Sequence, residues 1–353
     1  MGTLSNRERL TLAIAVVMTV LSGVLATIGA GPVLTFAVSG VALALLATIV
    51  GQATEQIGTR LGPGATGVLQ SALGNLPELF VGIFALRAGE IVVVQAALVG
   101  SILGNSLLVL GLAFFFGGLR HGVQRFSGES ARNITVLTAT SVAALAIPTL
   151  AVGLHVPVSA HIETLSIVCA VVLLIVFAAS IPFSLRGSPP AGAEGEHETS
   201  WPVWLAALVL TFAGVAAALV SNWFVGALQP AIDTLHISQA FAGLVIVAIA
   251  GNAVENVVGV QLMMRNKPDY AISVILNSSL QIALGLTPVL VLLSFVLGGP
   301  HLTLVLPGLL VGALVLAAFL GNLIVYDGES TWLEGLALIG LYIIIATAFW
   351  WGL

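Results

Sequence analysis

Apolar runs long enough to cross a bilayer recur along the whole chain, and this constrains its fold before anything else. A span needs roughly 20 apolar residues. The sequence divides into about eleven such runs: 10–29, 32–54, 65–87, 90–117, 133–153, 161–183, 202–224, 239–264, 270–298, 302–323 and 332–352. Only 7% of the residues are charged and 59% are hydrophobic, whereas a soluble domain carries about 25% charged residues. The expected fold class is therefore an all-α polytopic membrane protein with eleven transmembrane helices. The first run is of full spanning length and lacks a clean cleavage site of small residues, so it reads as a retained helix rather than a signal peptide. Cys169 is the only cysteine, which excludes an internal disulfide and a multi-cysteine metal cluster.

All ten Lys and Arg residues lie between runs or at their ends. With the N-terminus cytoplasmic, Arg7, Arg9, Arg60, Arg120, Arg125, Arg132, Arg186, Arg265 and Lys267 fall inside and only Arg87 falls outside. The positive-inside rule selects this orientation and places the C-terminus outside. A compact chain without targeting extensions is expected in a bacterial inner membrane.

Two stretches inside apolar runs are near copies, Gly74-Asn75-Leu76-Pro77-Glu78 and Gly251-Asn252-Ala253-Val254-Glu255. One constant offset also aligns Gly82 with Gly259 and Ser101 with Ser278, with no gap from Gly74 to the Gly111/Pro288 pair. Apolar residues match by chance in membrane chains; polar residues within them do not. The copies lie in the third and eighth runs, an odd number apart, so their helices cross the membrane in opposite directions. The expected organisation is an extra helix (1–31), a first five-helix repeat (32–185), a cytoplasmic linker (186–200) and a second, inverted five-helix repeat (201–353). The linker is rich in Gly, Pro and Glu.

A carboxylate inside a membrane helix costs a few kcal/mol and is functional by default. Asn75 and Glu78, like Asn252 and Glu255, are three residues apart, which on a helix is one face. Gly74 and Gly251 permit close approach or local unwinding, and Pro77 frees a carbonyl. Carboxylates, amide oxygens and freed carbonyls form a hard-oxygen site that suits Ca²⁺, with Na⁺ or Mn²⁺ finding similar ligands. Two carboxylates balance one divalent cation. Without it they are costly to keep ionised in a low-dielectric site, so the same pair takes protons. Competition between cation and protons for one site is the core of antiport. The blander readings are a packing notch at each Gly-Asn and a serine-capped structural glutamate. Ser101, Ser278, Asn105 and Gln281 either line the site or bond a neighbouring helix.

Glu55 reads as a residue of a cation funnel or as an interfacial carboxylate, and Asp233, Asp327 and Glu329 as loop residues. The six histidines have no metal-ligand spacing, and no phosphate loop is present. Transport would be driven by a gradient. No cofactor and no nucleic acid is implied; the partners are the cation, protons and the lipid bilayer, and a homo-oligomer is compatible with the sequence. Alternatives are Na⁺- or K⁺-linked exchange on the same fold, a channel, and a membrane-embedded enzyme. The enzyme needs a nucleophile with a base or a metal pair, and Ser101 and Ser278 have no His nearby in sequence.

At these motifs the chain resembles the Ca²⁺/H⁺ exchangers of the cation/proton exchanger (CAX) family, within the Ca²⁺/cation antiporters. The resemblance is carried by Gly-Asn-Leu-Pro-Glu-Leu at 74–79, Phe-Ala-Leu-Arg-Ala-Gly at 84–89, Gly-Ser-Ile-Leu-Gly-Asn at 100–105 and Leu-Val-Leu-Gly at 108–111. Ala53-Thr54-Glu55, Gly-Asn-Ala-Val-Glu at 251–255, Asn266-Lys267, Ser278-Ser279 and Gln281-Ile282-Ala283-Leu284 add to it. It implies Glu78 and Glu255 as central carriers, and Asn75, Asn252, Ser101, Ser278 and Gln281 as lining residues. It also implies a long gating pair formed by the second and seventh helices. The chain departs from the family pattern at Asn256, where a His is usual, at Asn222, where a Glu is usual, and at Asn277 in place of a Gly. Its acidic loop at Glu194, Glu196 and Glu198 is short. Fewer titratable groups are left around an intact central pair.

Overall fold

A computed structural model describes residues 4–61, 73–187 and 201–352, and these are overwhelmingly helical. The linker beyond Gly187 and the start of the third run lie outside the described residues. In chain order the helices are α1 (Asn6–Ile28), α2 (Pro32–Leu61), α3 (Leu76–Arg87), α4 (Ile91–His121), α5 (Gly128–Gly153), α6 (Ile162–Gly187) and α7 (Val203–Leu235). They continue as α8 (Gln239–Gly251), α9 (Ala253–Met264), α10 (Pro268–Ser294), α11 (Gly308–Val325) and α12 (Trp332–Phe349). Among the described residues nine helices are long and apolar enough to cross a membrane, and α8 with α9, bent by 63° at Asn252, makes a tenth candidate. The chain is an integral membrane protein.

Local signals set several boundaries. Ser5 and Glu8 form a capping box at the start of α1, and Gly29 closes it with φ 66°, a left-handed conformation that glycine adopts freely. Thr331 and Glu334 form the same box at α12.

Three expectations are corrected. The seventh helix runs to Leu235, not 224, and carries Asp233 on its last turns, where Gln229 Nε2 donates to the carboxylate at 2.9 Å. The second continues to Leu61 rather than 54. The run at 302–323 is helical only from Gly308. Leu302, Leu304 and Leu306 are buried in a non-helical segment whose buried residues alternate with a period of two, as in extended chain. Pro307 disfavours helix at the residue before it. Non-helical backbone at membrane depth must find partners inside the protein. Gln95 Nε2 donates to Thr303 O and Val305 O, Ser166 Oγ and Ser294 Oγ accept from Leu304 N and Leu302 N, and Thr149 Oγ1 accepts from Leu306 N.

The chain forms two compact units, each drawing on both halves of the sequence. The first comprises residues 4–88, 181–237 and 250–254. In it α2 lies along α7, with Phe36 stacked on Phe224 at 4.5 Å and rows of small buried residues (Ala42, Ala47 and Ala53 against Ala213, Ala216 and Ala217) that let backbones approach. Helix α1 joins them through a Ser22–Ser39 hydroxyl pair at 2.6 Å.

The second unit comprises residues 89–180, 238–249 and 255–352. Helices α4 and α8 touch backbone to backbone, because a Cβ at Gly100 would overlap the carbonyl of Leu244. The loops of this unit gather at the two ends of α4. Beyond its C-terminal end, Gln124–Arg125 pairs with Glu329–Ser330 in a two-stranded ribbon. There His121 and Gln124 bond the carbonyls of Met264 and Met263, and Asp269 accepts from Ser127 N. At its N-terminal end Gln239 donates to Glu90, and Ser238 donates to Phe349 O. Arg120, Arg125, Arg265 and Lys267 all belong to the first of these ends.

Secondary structure repeats in register. Helices start at 76 and 253, at 91 and 268, and again (after a π-turn) at 110 and 287, each pair 177 residues apart. Two π-turns, Gly104–Val109 and Ile282–Leu286, end at the same register.

Candidate functional site

Each motif's Asn stands just ahead of the helix that carries its Glu. Gly74 and Asn75 form a turn, with Asn75 at the N-cap of α3 (φ −94°, ψ 20°) and Pro77 and Glu78 in the first turn. Asn252 is the turn between α8 and α9, with Glu255 in the first turn that follows. Pro77 is tolerated there because a first-turn N–H has no intrahelical partner to lose. Each Asn thus stands at the N-cap position and each Glu at the third helical position, rather than both lying within one continuous helix.

The two motifs meet. In the first unit Asn252 Nδ2 donates to Glu78 Oε1 at 2.6 Å, so the amide of the second motif holds the carboxylate of the first. Asn252 is buried and Glu78 half-buried. A Cβ on Gly251 would stand 2.5 Å from Glu78 Cγ and 2.7 Å from its Oε1, so glycine here provides the space that the carboxylate occupies. Its φ lies outside the left-handed range; the requirement is room.

The second unit holds a buried polar seam where α4 crosses α10. Asn105 Nδ2 donates to Ser278 Oγ at 2.9 Å, and Ser106 and Ser279 share a hydroxyl hydrogen bond of 3.1 Å. Ser101, Asn105, Ser278 and Ser279 are all less than 5% exposed. Ser106 was not singled out from sequence, and Ser279 only as part of the Ser278-Ser279 motif. Gln281 ends the regular part of α10 before its π-turn. Such turns are frequent at functional sites, and here Asn105 lies within one of them.

The other expected residues lie as follows. Glu255 and Asn256 are half-buried in the first turn of α9, in the second unit. Glu55 is half-buried on α2, in the first unit. Asn222 is exposed on α7, at a groove of about 590 Å³ that Leu76, Phe80 and Phe84 also line. Asn277 donates to Ser273 Oγ one turn back along α10.

Broken apolar helices whose tips bring a carboxylate and an amide together are the architecture of a membrane transporter. The comparisons with known proteins agree. The chain belongs to the sodium/calcium exchanger protein family, which matches residues 31–186 and 205–351. It is 36% identical over 346 residues to a Ca²⁺/H⁺ antiporter of Synechocystis sp., covering 91% of this chain and 92% of the relative. It is 36% identical over 324 residues to the Ca²⁺/H⁺ antiporter ChaA of Bacillus subtilis, covering 89% and 91%. The crystal structure of the Ca²⁺/H⁺ antiporter protein YfkE is similar with a TM-score of 0.83 at 31% identity, over 97% of this chain and 99% of that one. The resemblance to Ca²⁺/H⁺ exchangers expected from the motifs holds over 91% of the chain in sequence and 97% in structure.

Proposed function

We propose that this protein is a secondary active Ca²⁺/H⁺ antiporter in which cation and protons compete for a site built on Glu78 and Glu255. The observation that carries this reading is the 2.6 Å bond from Asn252 to Glu78, which joins the two repeated motifs at their helix starts. An asparagine amide serves every state of such a site. Its NH₂ group donates to a carboxylate, and its oxygen accepts from a carboxylic acid or ligates a cation. Asn75, Ser101, Ser278 and Gln281 complete the oxygen donors, with Glu55, Asn105, Asn222 and Asn256 along the pathway. One divalent ion neutralises two carboxylates, as two protons do. A bare carboxylate pair in a dry site is disfavoured, so the empty site is the unfavourable one to carry across.

The same reading takes the fold as one extra helix followed by two inverted five-helix repeats that alternate access. The in-register helix starts 177 residues apart and the family match to 31–186 and 205–351 support the duplication. The gathering of the loops at 121–127, 264–269 and 326–330 at one end of α4 supports the alternation of spans, and the basic residues there support a cytoplasmic assignment of that end. The N-terminus would then be cytoplasmic, the C-terminus outside, and the membrane a bacterial inner membrane. A cysteine introduced at Arg125, with Cys169 removed, is expected to resist impermeant thiol reagents added from outside. Ready labelling would overturn the orientation.

The decisive experiment is flux in vesicles with an imposed pH gradient. An acidic interior is expected to drive Ca²⁺ uptake that stops when a protonophore collapses the gradient, and replacing Na⁺ or K⁺ with an inert cation should change nothing. Uptake that required Na⁺ instead would favour Na⁺-linked exchange. Asn256 cannot titrate as a histidine would, so the reversal potential is expected to give at most two protons per cation. A clearly larger ratio would bring in another group, such as Glu55.

A further inference from the structure

Two hydroxyls in the first unit break a pattern that their own helices otherwise keep. A serine or threonine inside a helix can bond the carbonyl one turn back. Thr48 does so to Ala44 in α2, and Thr211 and Thr234 do so to Ala207 and Pro230 in α7. Thr54 in α2 and Ser221 in α7 do not. Both are 0% exposed, and neither Oγ has a hydrogen-bond partner. Their buried neighbours along the helices (Val50 and Ala53, Ala217 and Val220) are apolar. Each immediately precedes a polar residue, Glu55 in one helix and Asn222 in the other.

An orphaned hydroxyl in a low-dielectric interior is unfavourable, and an apolar side chain of the same shape would remove the penalty. These helices use Val and Ala freely at adjoining buried positions, so such a replacement was open to the sequence. The anomaly also occurs on both members of the pair that pack along each other, α2 and α7. Thr19, Thr287 and Tyr342 also carry a hydroxyl without a partner, but among these residues only Thr54 and Ser221 are 0% exposed.

We propose that Thr54 and Ser221 are turnover-determining residues of the exchange cycle. Their hydroxyls are hydrogen-bonded in an alternate arrangement of α2 and α7 and are left unpaired in this one. The proposal rests on the alternating-access reading above. The unpaired hydroxyls raise the free energy of this conformer and their bonds lower that of the other, so the two populations are brought closer. A carrier visits both states in every cycle, and a deep minimum at either slows it. The two residues act on the cycle and not on the cation.

The test compares variants of the full chain, purified for thermal melting and reconstituted for flux. Thr54→Val and Ser221→Ala should each raise the melting temperature by about 1–3 °C. They should also lower turnover by roughly 3- to 10-fold, the worth of one hydrogen bond, without raising the half-saturating Ca²⁺ concentration. Thr54→Ser keeps the hydroxyl and should keep the turnover. Thr48→Val, which removes a hydroxyl bonded within its own helix, should leave turnover unchanged. A lower melting temperature in Thr54→Val and Ser221→Ala would overturn the proposal, because the hydroxyls would then be satisfied in this conformer. A higher melting temperature with unaltered turnover would overturn it as well, leaving them as tolerated defects. Absence of exchange in the unaltered protein would instead count against the antiporter reading, so the two failures are distinguishable.

Discussion

Glu78→Gln and Glu255→Gln are each expected to abolish Ca²⁺-driven proton movement while leaving a folded protein in the membrane. Glutamine keeps the shape and one oxygen but carries neither negative charge nor an exchangeable acid proton. With one carboxylate left, a divalent ion would be buried with one uncompensated positive charge in a medium where unpaired charge is expensive. The loss should therefore reach the detection limit. Glu78→Gln also turns the acceptor of the Asn252 amide into a neutral group, so the bond at 2.6 Å loses its charge assistance. Vesicles loaded with a pH-sensitive dye report the exchange, and melting of the purified variant reports the fold. Undiminished exchange in either variant would remove the two-carboxylate site. Gln at Glu55, outside the motifs, is expected to slow transport and not to stop it.

How much of this was legible in the sequence depends on the kind of signal. Polar residues stand out in apolar runs, which is why both Gly-Asn motifs could be found and set in register. The meeting of Asn252 with Glu78 was not legible, because the repeat predicts equivalence between the copies and says nothing of their contact. That Asn75 and Asn252 stand at helix starts and not within continuous helices was not legible either, since a Gly-Asn pair permits unwinding without announcing it. The segment at 302–306 was read as helix because a hydropathy window sees apolar content and not its period. The alternation of Leu302, Leu304 and Leu306 before Pro307 was the overlooked signal. The seventh apolar run ends at 224, which puts Asp233 in a loop, yet α7 continues through Gln229 and Pro230 to Leu235. The three π-turns among the described residues have no sequence signature of this kind; two of them end at one register of the repeat, and the third, Ala242–Val247, lies within α8.

The space beside Glu78 gives a prediction that separates the site from the scaffold. Gly251→Ala adds one methyl group at a position where the nearest atoms are Glu78 Cγ at 2.5 Å, Oε1 at 2.7 Å and Cδ at 3.0 Å. Real carbon atoms do not approach so closely, so something must yield. The Glu78 side chain has rotatable bonds and α8 does not, so the carboxylate swings away and its bond to Asn252 breaks. Gly251 is the last residue of α8 with a φ outside the left-handed range, so alanine fits its backbone and is no worse a helix residue than glycine. The melting temperature should accordingly hold or rise, which separates this effect from misfolding. Losing a hydrogen bond to a charged group costs about 1.5–3 kcal/mol, and misplacing a functional group by an ångström can cost roughly 100-fold. The half-saturating Ca²⁺ concentration is therefore expected to rise by about 10- to 100-fold. Unchanged Ca²⁺ affinity in Gly251→Ala would mean that the position of the Glu78 carboxylate does not set cation binding, and the site would have to be sought elsewhere.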